Sequence, residues 1–155
     1  MKDITCCFTG HRQLPSELSA LEKRLTETVT SLISDGYVNF VAGGAIGFDT
    51  LAAKVVLKLK VQFPHISLRL VLPCKEQDKY WTDAQKKEYA RLLEQADSHE
   101  YVCEGYTRYC MHQRNRKMVD TSSSVVAFYN GDGKGGTAST VKYANQKGVK
   151  VINVF

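Results

Sequence analysis

Three short polar or glycine-rich segments each follow an apolar run of the chain. They are Thr9-Gly10-His11-Arg12, the segment Gly43 to Asp49, and the segment Gly133 to Thr137. Glycines let the backbone come close to a ligand, and a helix that begins after such a turn offers free N–H groups and a positive dipole end to an anion. Arg12 and Lys134 add positive charge. Any one segment could be only a tight strand-to-helix turn, but the three together favour a nucleotide or phosphosugar site.

The most basic segment of the chain runs from Met111 to Asp120 and suits a helix. On that helix Met111, Asn115 and Met118 lie near one face with Arg114 beside them, and its guanidinium could reach a phosphate with two hydrogen bonds. We assign Arg116 and Lys117 to a solvated face, which is what most charge runs form.

Two isolated residues keep two interpretations open. Asp49 lies just inside a predicted helix start, where it either caps the helix or holds a ribose hydroxyl. His11 could exchange a proton or bind phosphate, although a lone loop histidine is more often a structural hydrogen-bonding residue.

Several common chemistries lack their signatures. No turn matches the dinucleotide-binding pattern GxGxxG or the phosphate loop GxxxxGK[ST], which argues against an ordinary dehydrogenase or ATPase. His65, His99 and His112 have no metal-ligand spacing, and no carboxylate pair stands out for acid–base catalysis. We therefore predict neither a metal nor a cofactor apart from the ligand itself.

The loop after the third predicted strand carries Gln77, Tyr80 and Trp81. An exposed aromatic ring there could stack on a base. Trp81 could equally cap the core.

Apolar runs alternate with amphipathic stretches along the whole chain. A strand over 4–8, for example, precedes a helix that Pro15-Ser16 opens with Ser16 as N-cap, and later helices are predicted over 110–120 and from Thr82-Asp83 onward. This alternation predicts the α/β class: a single Rossmann-like domain over residues 1–155, with a mainly parallel sheet and helices on both faces. Ligands bind such sheets at the carboxyl ends of the strands.

Composition sets the broad class. The chain has 155 residues, 43% hydrophobic residues and a net charge of +5, which is globular and mildly basic. No apolar run reaches the ~20 residues that span a bilayer, and no signal peptide is evident, so we predict a cytoplasmic protein without a membrane partner. Five cysteines without CxxC spacing indicate reduced thiols, with Cys6 and Cys7 on opposite faces of a strand.

The motifs Cys7 to Arg12, Gly43 to Asp49, Met111 to Asp120 and Gly135-Gly136-Thr137 together resemble the YpsA-like family of the SLOG superfamily. That superfamily is named for the DNA-processing protein DprA/Smf and the Lonely guy proteins. The resemblance covers nearly the whole chain. It implies a Rossmann-like fold and a bacterial sensor or binder of nucleotide-derived ligands, with no catalysis expected.

Two relatives within the superfamily imply alternative functions. Lonely guy enzymes are phosphoribohydrolases of nucleoside monophosphates, and Thr140 stands where their pattern has the catalytic glutamate. Because a threonine supplies neither the charge nor the base, the resemblance argues against hydrolase activity. DprA-like proteins bind single-stranded DNA, and Gly43 to Asp49 resembles their glycine turn. The modest charge and the single tryptophan lead us to predict against a nucleic-acid partner.

The predicted ligand is therefore a small nucleotide or phosphosugar, and relatives suggest a possible homodimer. Backbone groups are expected to cradle its phosphate, at Gly43, Gly44, Gly135, Gly136 and Thr137. Side chains are expected to neutralise the phosphate or hold sugar and base groups, at Arg12, Arg114, Asp49 and Asn115. Thr9 and Gly10 are expected to form the floor of the site, and His11, Gly47 and Lys134 complete the predicted site residues.

Overall fold

Six parallel strands form one sheet in the computed structural model, which describes residues 1–155. The strands are β1 (Thr5–Gly10), β2 (Asn39–Ala42), β3 (Ser67–Leu72), β4 (Ser98–Tyr101), β5 (Ser124–Phe128) and β6 (Lys150–Asn153). Their spatial order is β4-β3-β2-β1-β5-β6, and every neighbouring pair is parallel. The predicted parallel α/β sheet is confirmed.

Five helices alternate with the strands. They are α1 (Ser19–Ser34), α2 (Phe48–Gln62), α3 (Asp83–Gln95), α4 (Cys110–Asp120) and α5 (Gly135–Gln146), with a short 3-10 turn (Lys2–Ile4) before β1. None of them combines the length and the apolar character that a bilayer-spanning helix requires.

Two helix starts differ in how well the sequence predicts them. Thr82 caps α3 as expected: its Oγ1 accepts a hydrogen bond from the Gln85 N–H at 3.2 Å, and Gln85 Oε1 accepts one from the Thr82 N–H at 3.0 Å. The prediction that Ser16 caps α1 was wrong, because α1 begins at Ser19. Its N-cap residue is Leu18, and the Glu17 carboxylate before it accepts from the Ser19 N–H at 3.0 Å.

The helices cover both faces of the sheet, as predicted. Successive residues of β1 point to opposite sides: Cys6 and Phe8 join the larger core with α1, α2 and α3, whereas Cys7 joins the smaller core with α4 and α5. Burial raises the pKa of the Cys7 thiol to about 12, so this thiol stays protonated. All five cysteines are free, and four are buried.

The strand order reverses between β1 and β5. From β1, the strands β2, β3 and β4 follow one another towards one edge of the sheet. Strands β5 and β6 lie between β1 and the opposite edge. Gly10 at the end of β1 pairs with Phe128 at the end of β5. The loops after these two strands therefore diverge and leave a crevice at the sheet edge. Because β2 is the other neighbour of β1, all three predicted anion-binding segments meet at this edge.

Candidate functional site

A cleft of about 310 Å³ opens at the carboxyl ends of β1 and β5. Most of the predicted site residues line it: Thr9, Gly10, His11, Arg12, Asp49, Arg114, Asn115, Lys134, Gly135, Gly136 and Thr137. Phe8, Ala45 and Met111 line it as well. Gly43, Gly44 and Gly47 do not. The sheet and three helices thus bring together residues that lie more than a hundred positions apart in sequence, from Phe8 to Thr137.

Arg114 is a buried cation of this cleft. It lies on α4 and is only 4% exposed, and burial lowers its pKa while the charge of Asp49 opposes that effect. Its Nη1 donates to the Gly43 carbonyl, and its Nε donates to Asn115 Oδ1 at 2.8 Å. The Nη2 group has no partner in the protein. Two protein contacts therefore orient the guanidinium and leave donor capacity for a ligand.

Asp49 is a buried carboxylate in the first turn of α2 and is 6% exposed. Its Oδ2 accepts a long hydrogen bond of 3.4 Å from the Ala45 N–H. Burial raises the pKa of Asp49 to about 6, although Arg114, the Ala45 N–H and Arg12 each lower it. No ion pair within 4.0 Å joins this carboxylate to either arginine. This buried carboxylate therefore has only one long hydrogen bond within the protein.

The loop between β5 and α5 forms the open wall of the cleft. Helix α5 begins at Gly135, and Lys134 at its N-cap makes no side-chain hydrogen bond to the first turn. Gly133 and Gly135 have φ values of +72° and +81°, and no neighbouring atom would meet a side chain at either position. The first N–H groups of α5 therefore lie at an exposed rim without a capping side chain.

His11 connects the ends of the two central strands. Its Nε2 accepts a hydrogen bond from the Asn130 N–H at 3.0 Å, and its backbone N–H donates to the Phe128 carbonyl at 3.3 Å. Its ring lies edge-on to that of Phe128, with the centroids 6.0 Å apart. These contacts favour the structural interpretation of His11, although its side chain lines the cleft.

The glycines after β2 lie behind the cleft and not on its surface. A Cβ at Gly43 would stand 2.6 Å from Arg114 Nη1 and 2.8 Å from Asp49 Oδ2. A Cβ at Gly47, where φ is +85°, would collide with the Arg12 carbonyl. These glycines allow close packing around the buried charges, and only the Gly43 carbonyl takes part directly, by holding Arg114.

Met111 and Ala45 line the cleft, although neither is among the predicted site residues. Met111 precedes Arg114 and Asn115 on the same face of α4, at the spacing that places helical residues together. Its Sδ lies 3.8 Å from Arg12 Nη2. Helical periodicity could have identified Met111, whereas the Ala45 N–H is a backbone group that no side-chain motif marks.

Thr140 does not line the cleft. It is 3% exposed, and its Oγ1 donates to the Gly136 carbonyl at 2.8 Å within α5. Asp49 is the only carboxylate that lines the cleft.

Comparisons with known proteins give the family and the fold of this chain. The YpsA family model, described as the YspA SLOG family, matches residues 7–153. The SPbeta prophage-derived protein YoqJ of Bacillus subtilis is 33% identical over an alignment of 144 residues that covers 85% of this chain and 84% of YoqJ. A UPF0398 protein of Halalkalibacterium halodurans is 28% identical over 134 residues, covering 84% of this chain and 70% of the relative.

A solved structure shares the fold. It is that of DNA processing protein A from Helicobacter pylori, whose single-stranded DNA binding mode it describes. The TM-score is 0.67 at 19% identity, over 97% of this chain. This chain spans 64% of the length of that structure.

This likeness corrects the prediction against a nucleic-acid partner, because a protein with the same fold binds single-stranded DNA. The prediction relied on net charge and tryptophan number, which average over the whole surface. The local surface differs from that average: Arg12 and Lys134 line the cleft, and Tyr80 and Tyr106 are 89% and 70% exposed beside it.

With 147 of its residues matched by the family model, from 7 to 153, the chain belongs to the YspA SLOG family.

Proposed function

We propose that the cleft binds the phosphate of a nucleotide or of a nucleotide-derived phosphosugar. Arg114 carries this proposal. A guanidinium that is 4% exposed loses most of its hydration, and its two protein partners are a neutral carbonyl and a neutral amide. A bound anion at Nη2 would supply the missing partner through a charge-assisted hydrogen bond.

The rest of the cleft adds to this preference for an anion. Arg12 and Lys134 are exposed cations on its rim, and Asp49 is the single opposing carboxylate. The uncapped first turn of α5 adds backbone donors at Gly135 and Gly136, at the positive end of the helix dipole. Cations and free amides therefore surround one small volume.

The sugar and base contacts follow from the polar groups next to that volume. Asp49 offers carboxylate oxygens that accept hydrogen bonds from ribose hydroxyls. Asn115 already accepts from Arg114 through Oδ1, which leaves its Nδ2 as a donor. Its Nδ2 also lies near Gly136, 3.9 Å from where a Cβ would stand. Asn115 thus lies between Arg114 and the start of α5, and Asp49 lines the same cleft.

The proposal is tested by thermal shift and calorimetric titration with AMP, ADP-ribose, NAD and 3′,5′-cyclic AMP. We expect at least one of them to stabilise the protein. A double Arg12→Ala, Lys134→Ala variant should bind that ligand at least about tenfold more weakly, because it lacks two charge-assisted contacts. Both side chains are exposed, so the fold should tolerate their removal.

The matched control is Arg116→Ala with Lys142→Ala. It removes the same formal charge from exposed positions on α4 and α5 that do not line the cleft. The control should bind like the unaltered protein. If both double variants lose the same affinity for the ligand, the loss comes from the net charge of the protein and not from contacts in the cleft. If none of the four ligands stabilises the protein, the proposal is wrong.

A second candidate function is the binding of single-stranded DNA, which the shared fold with DNA processing protein A favours. On this hypothesis the same cleft holds a backbone phosphate. The logarithm of the affinity for an oligonucleotide should fall linearly with the logarithm of salt, by about 0.7 for each phosphate contact. Arg12→Ala with Lys134→Ala should reduce that slope. An oligonucleotide that stays free at low salt would exclude this candidate.

We expect no hydrolysis of AMP. Thr140 is hydrogen-bonded within α5, and it cannot serve as a base near neutral pH. Chromatography of the AMP titrations for free adenine tests this expectation. If the protein releases adenine and an Arg114→Lys variant does not, the function of the cleft is catalysis and not binding alone.

A further inference from the structure

A second cavity of about 620 Å³ adjoins the phosphate cleft. Arg12 and Met111 line both spaces, and their side chains touch at 3.8 Å. The loop between β3 and α3 forms most of the second cavity. The turn after β2 lies between the two spaces: Gly43 packs against Arg114, and Gly44 packs against Leu72 and Tyr89.

Gln77 is the unusual residue of this second cavity. It is 7% exposed, and its Nε2 donates to the Tyr89 hydroxyl at 3.2 Å. Its Oε1 is buried and has no hydrogen-bond partner. Turning the amide end over would leave its nitrogen unpartnered instead. Buried polar groups are almost always paired, but this oxygen is closed to solvent. A partner from outside the chain therefore reaches it only after a shift of the β3–α3 loop, which carries Gln77 at the cavity wall.

Aromatic rings surround the same space. Tyr80 and Tyr106 are 89% and 70% exposed, which is unusual for large rings. Trp81 is half-buried and packs edge-on against Tyr89, with centroids 5.2 Å apart. Folding gains little from two exposed tyrosines, whereas a planar ligand gains a stacking surface from them.

We propose that the second cavity receives the base of the ligand, and that this base carries an exocyclic amino group. A shift of the β3–α3 loop on binding would expose Gln77 Oε1, which would then accept from the amino N–H while Tyr80 or Tyr106 stacks on the ring. A glutamine whose nitrogen is held by a tyrosine presents an acceptor, which selects adenine or cytosine over a base with a carbonyl at that position. The proposal rests on the proposed function, since it places the base beside a phosphate bound in the cleft.

Trp81 makes the test direct, because it is the only tryptophan and it lines the second cavity. Three probes are titrated by calorimetry and by tryptophan fluorescence: ribose 5-phosphate, AMP and IMP. Ribose 5-phosphate has no base, and IMP carries a carbonyl in place of the amino group of AMP. We expect AMP to bind at least about tenfold more tightly than IMP, and only the two nucleotides to change the emission of Trp81.

A Gln77→Leu variant should bind AMP and IMP equally and should bind ribose 5-phosphate unchanged. The control Gln95→Leu makes the same replacement at an exposed position of α3 and should keep the preference for AMP. If Gln77→Leu does not fold, Tyr80→Ala serves instead, because its ring is 89% exposed. It should weaken AMP about fivefold or more without affecting ribose 5-phosphate.

The outcomes separate the two proposals. Binding of ribose 5-phosphate and AMP with equal affinity and unchanged emission supports the phosphate cleft and overturns the base cavity. Failure of all three probes contradicts the phosphate cleft itself. A short deoxyadenosine oligonucleotide distinguishes the sources of the base. If the oligonucleotide binds more tightly than AMP, and Gln77→Leu abolishes this binding, the base belongs to a single strand. AMP binding that the oligonucleotide cannot match assigns it to a free nucleotide.

Discussion

Two glycine-rich connections lie at the same edge of the sheet and look alike in sequence, but their surroundings differ. The first connects β2 to α2, and the second connects β5 to α5. Gly44 in the first and Gly133 in the second have nearly the same φ, +71° and +72°. A Cβ at Gly44 would lie 2.6 Å from Leu72 Cδ2, whereas nothing lies within 4 Å of one at Gly133. One glycine permits packing, and the other permits only a backbone turn.

The charged residues follow the same division. Asp49, next to the β2–α2 connection, is 6% exposed, and it shares the site with the buried Arg114. Lys134, at the end of the β5–α5 loop, is exposed. The packed side of the cleft thus fixes charges in place before any ligand arrives. The open side leaves charges and amides accessible, so binding and stability should respond to different substitutions on the two sides.

The sharpest test of this difference compares Gly44→Ala with Gly133→Ala. Both place a side chain in left-handed backbone, at a cost of about 1–2 kcal/mol. Gly44→Ala must also displace Leu72 and Tyr89 from a packed core, which adds about 1–3 kcal/mol. Urea unfolding should therefore show a total loss of about 2–5 kcal/mol for Gly44→Ala and of about 1–2 kcal/mol for Gly133→Ala.

Because the two φ values match, each variant is the control for the other. A thermal melt at one protein concentration should give the same ranking. Equal losses of free energy of unfolding would contradict the distinction, since they would mean that the core around Gly44 relaxes without cost.

The sequence predicts the edge of the sheet at which the cleft lies, but not which glycines line it. Alternating apolar runs are local, so they predict the parallel sheet and α4 at its observed bounds. The packing of Gly43 and Gly44 depends on side chains from α4, β3 and α3, which only the folded chain brings near. Glycine spacing therefore cannot separate a packed turn from an open one.

Burial is the second property that sequence reasoning could not supply. The helix face separates Arg114 from Arg116, which is exposed, but it does not predict that Arg114 is only 4% exposed. The exposure of Tyr80 and the unpartnered Oε1 of Gln77 are equally invisible in sequence. For the same reason a net charge of +5 was a poor guide to a nucleic-acid partner.

The buried charge on the packed side should make stability depend on pH. Folding raises the pKa of Asp49 from its ordinary 3.8 to about 6, so between these values the folded protein holds a proton that the unfolded chain releases. The contribution of this group to stability is therefore greatest below about pH 4 and falls as pH rises to about 6. Two pKa units correspond to about 3 kcal/mol, so Asp49→Asn should gain up to about that much relative to the unaltered protein over this range.

Urea unfolding at intervals from pH 4 to pH 7 measures this difference. Asp132→Asn is the matched control on the open loop, where the carboxylate is exposed and its Oδ1 accepts from the Lys134 N–H at 2.9 Å. An amide oxygen keeps that acceptor, so the control should parallel the unaltered protein at every pH. A constant difference between Asp49→Asn and the unaltered protein would show that the cavity around Asp49 does not penalise its charge.

The smallest expected effect distinguishes stability from binding on the open side. Gly136 lies in the first turn of α5, and a Cβ there would be 3.9 Å from Asn115 Nδ2, an ordinary contact. Gly136→Ala should raise the free energy of unfolding by about 0.5–1 kcal/mol, because alanine favours a helix over glycine. The same methyl group would occupy the cleft wall and keep an anion from the first amides of α5. Calorimetry with AMP should then show weaker binding by a more stable protein, a combination that loss of fold cannot produce. Unchanged affinity would mean that these amides do not contact the phosphate, and the difference between the two glycine connections would then concern folding alone.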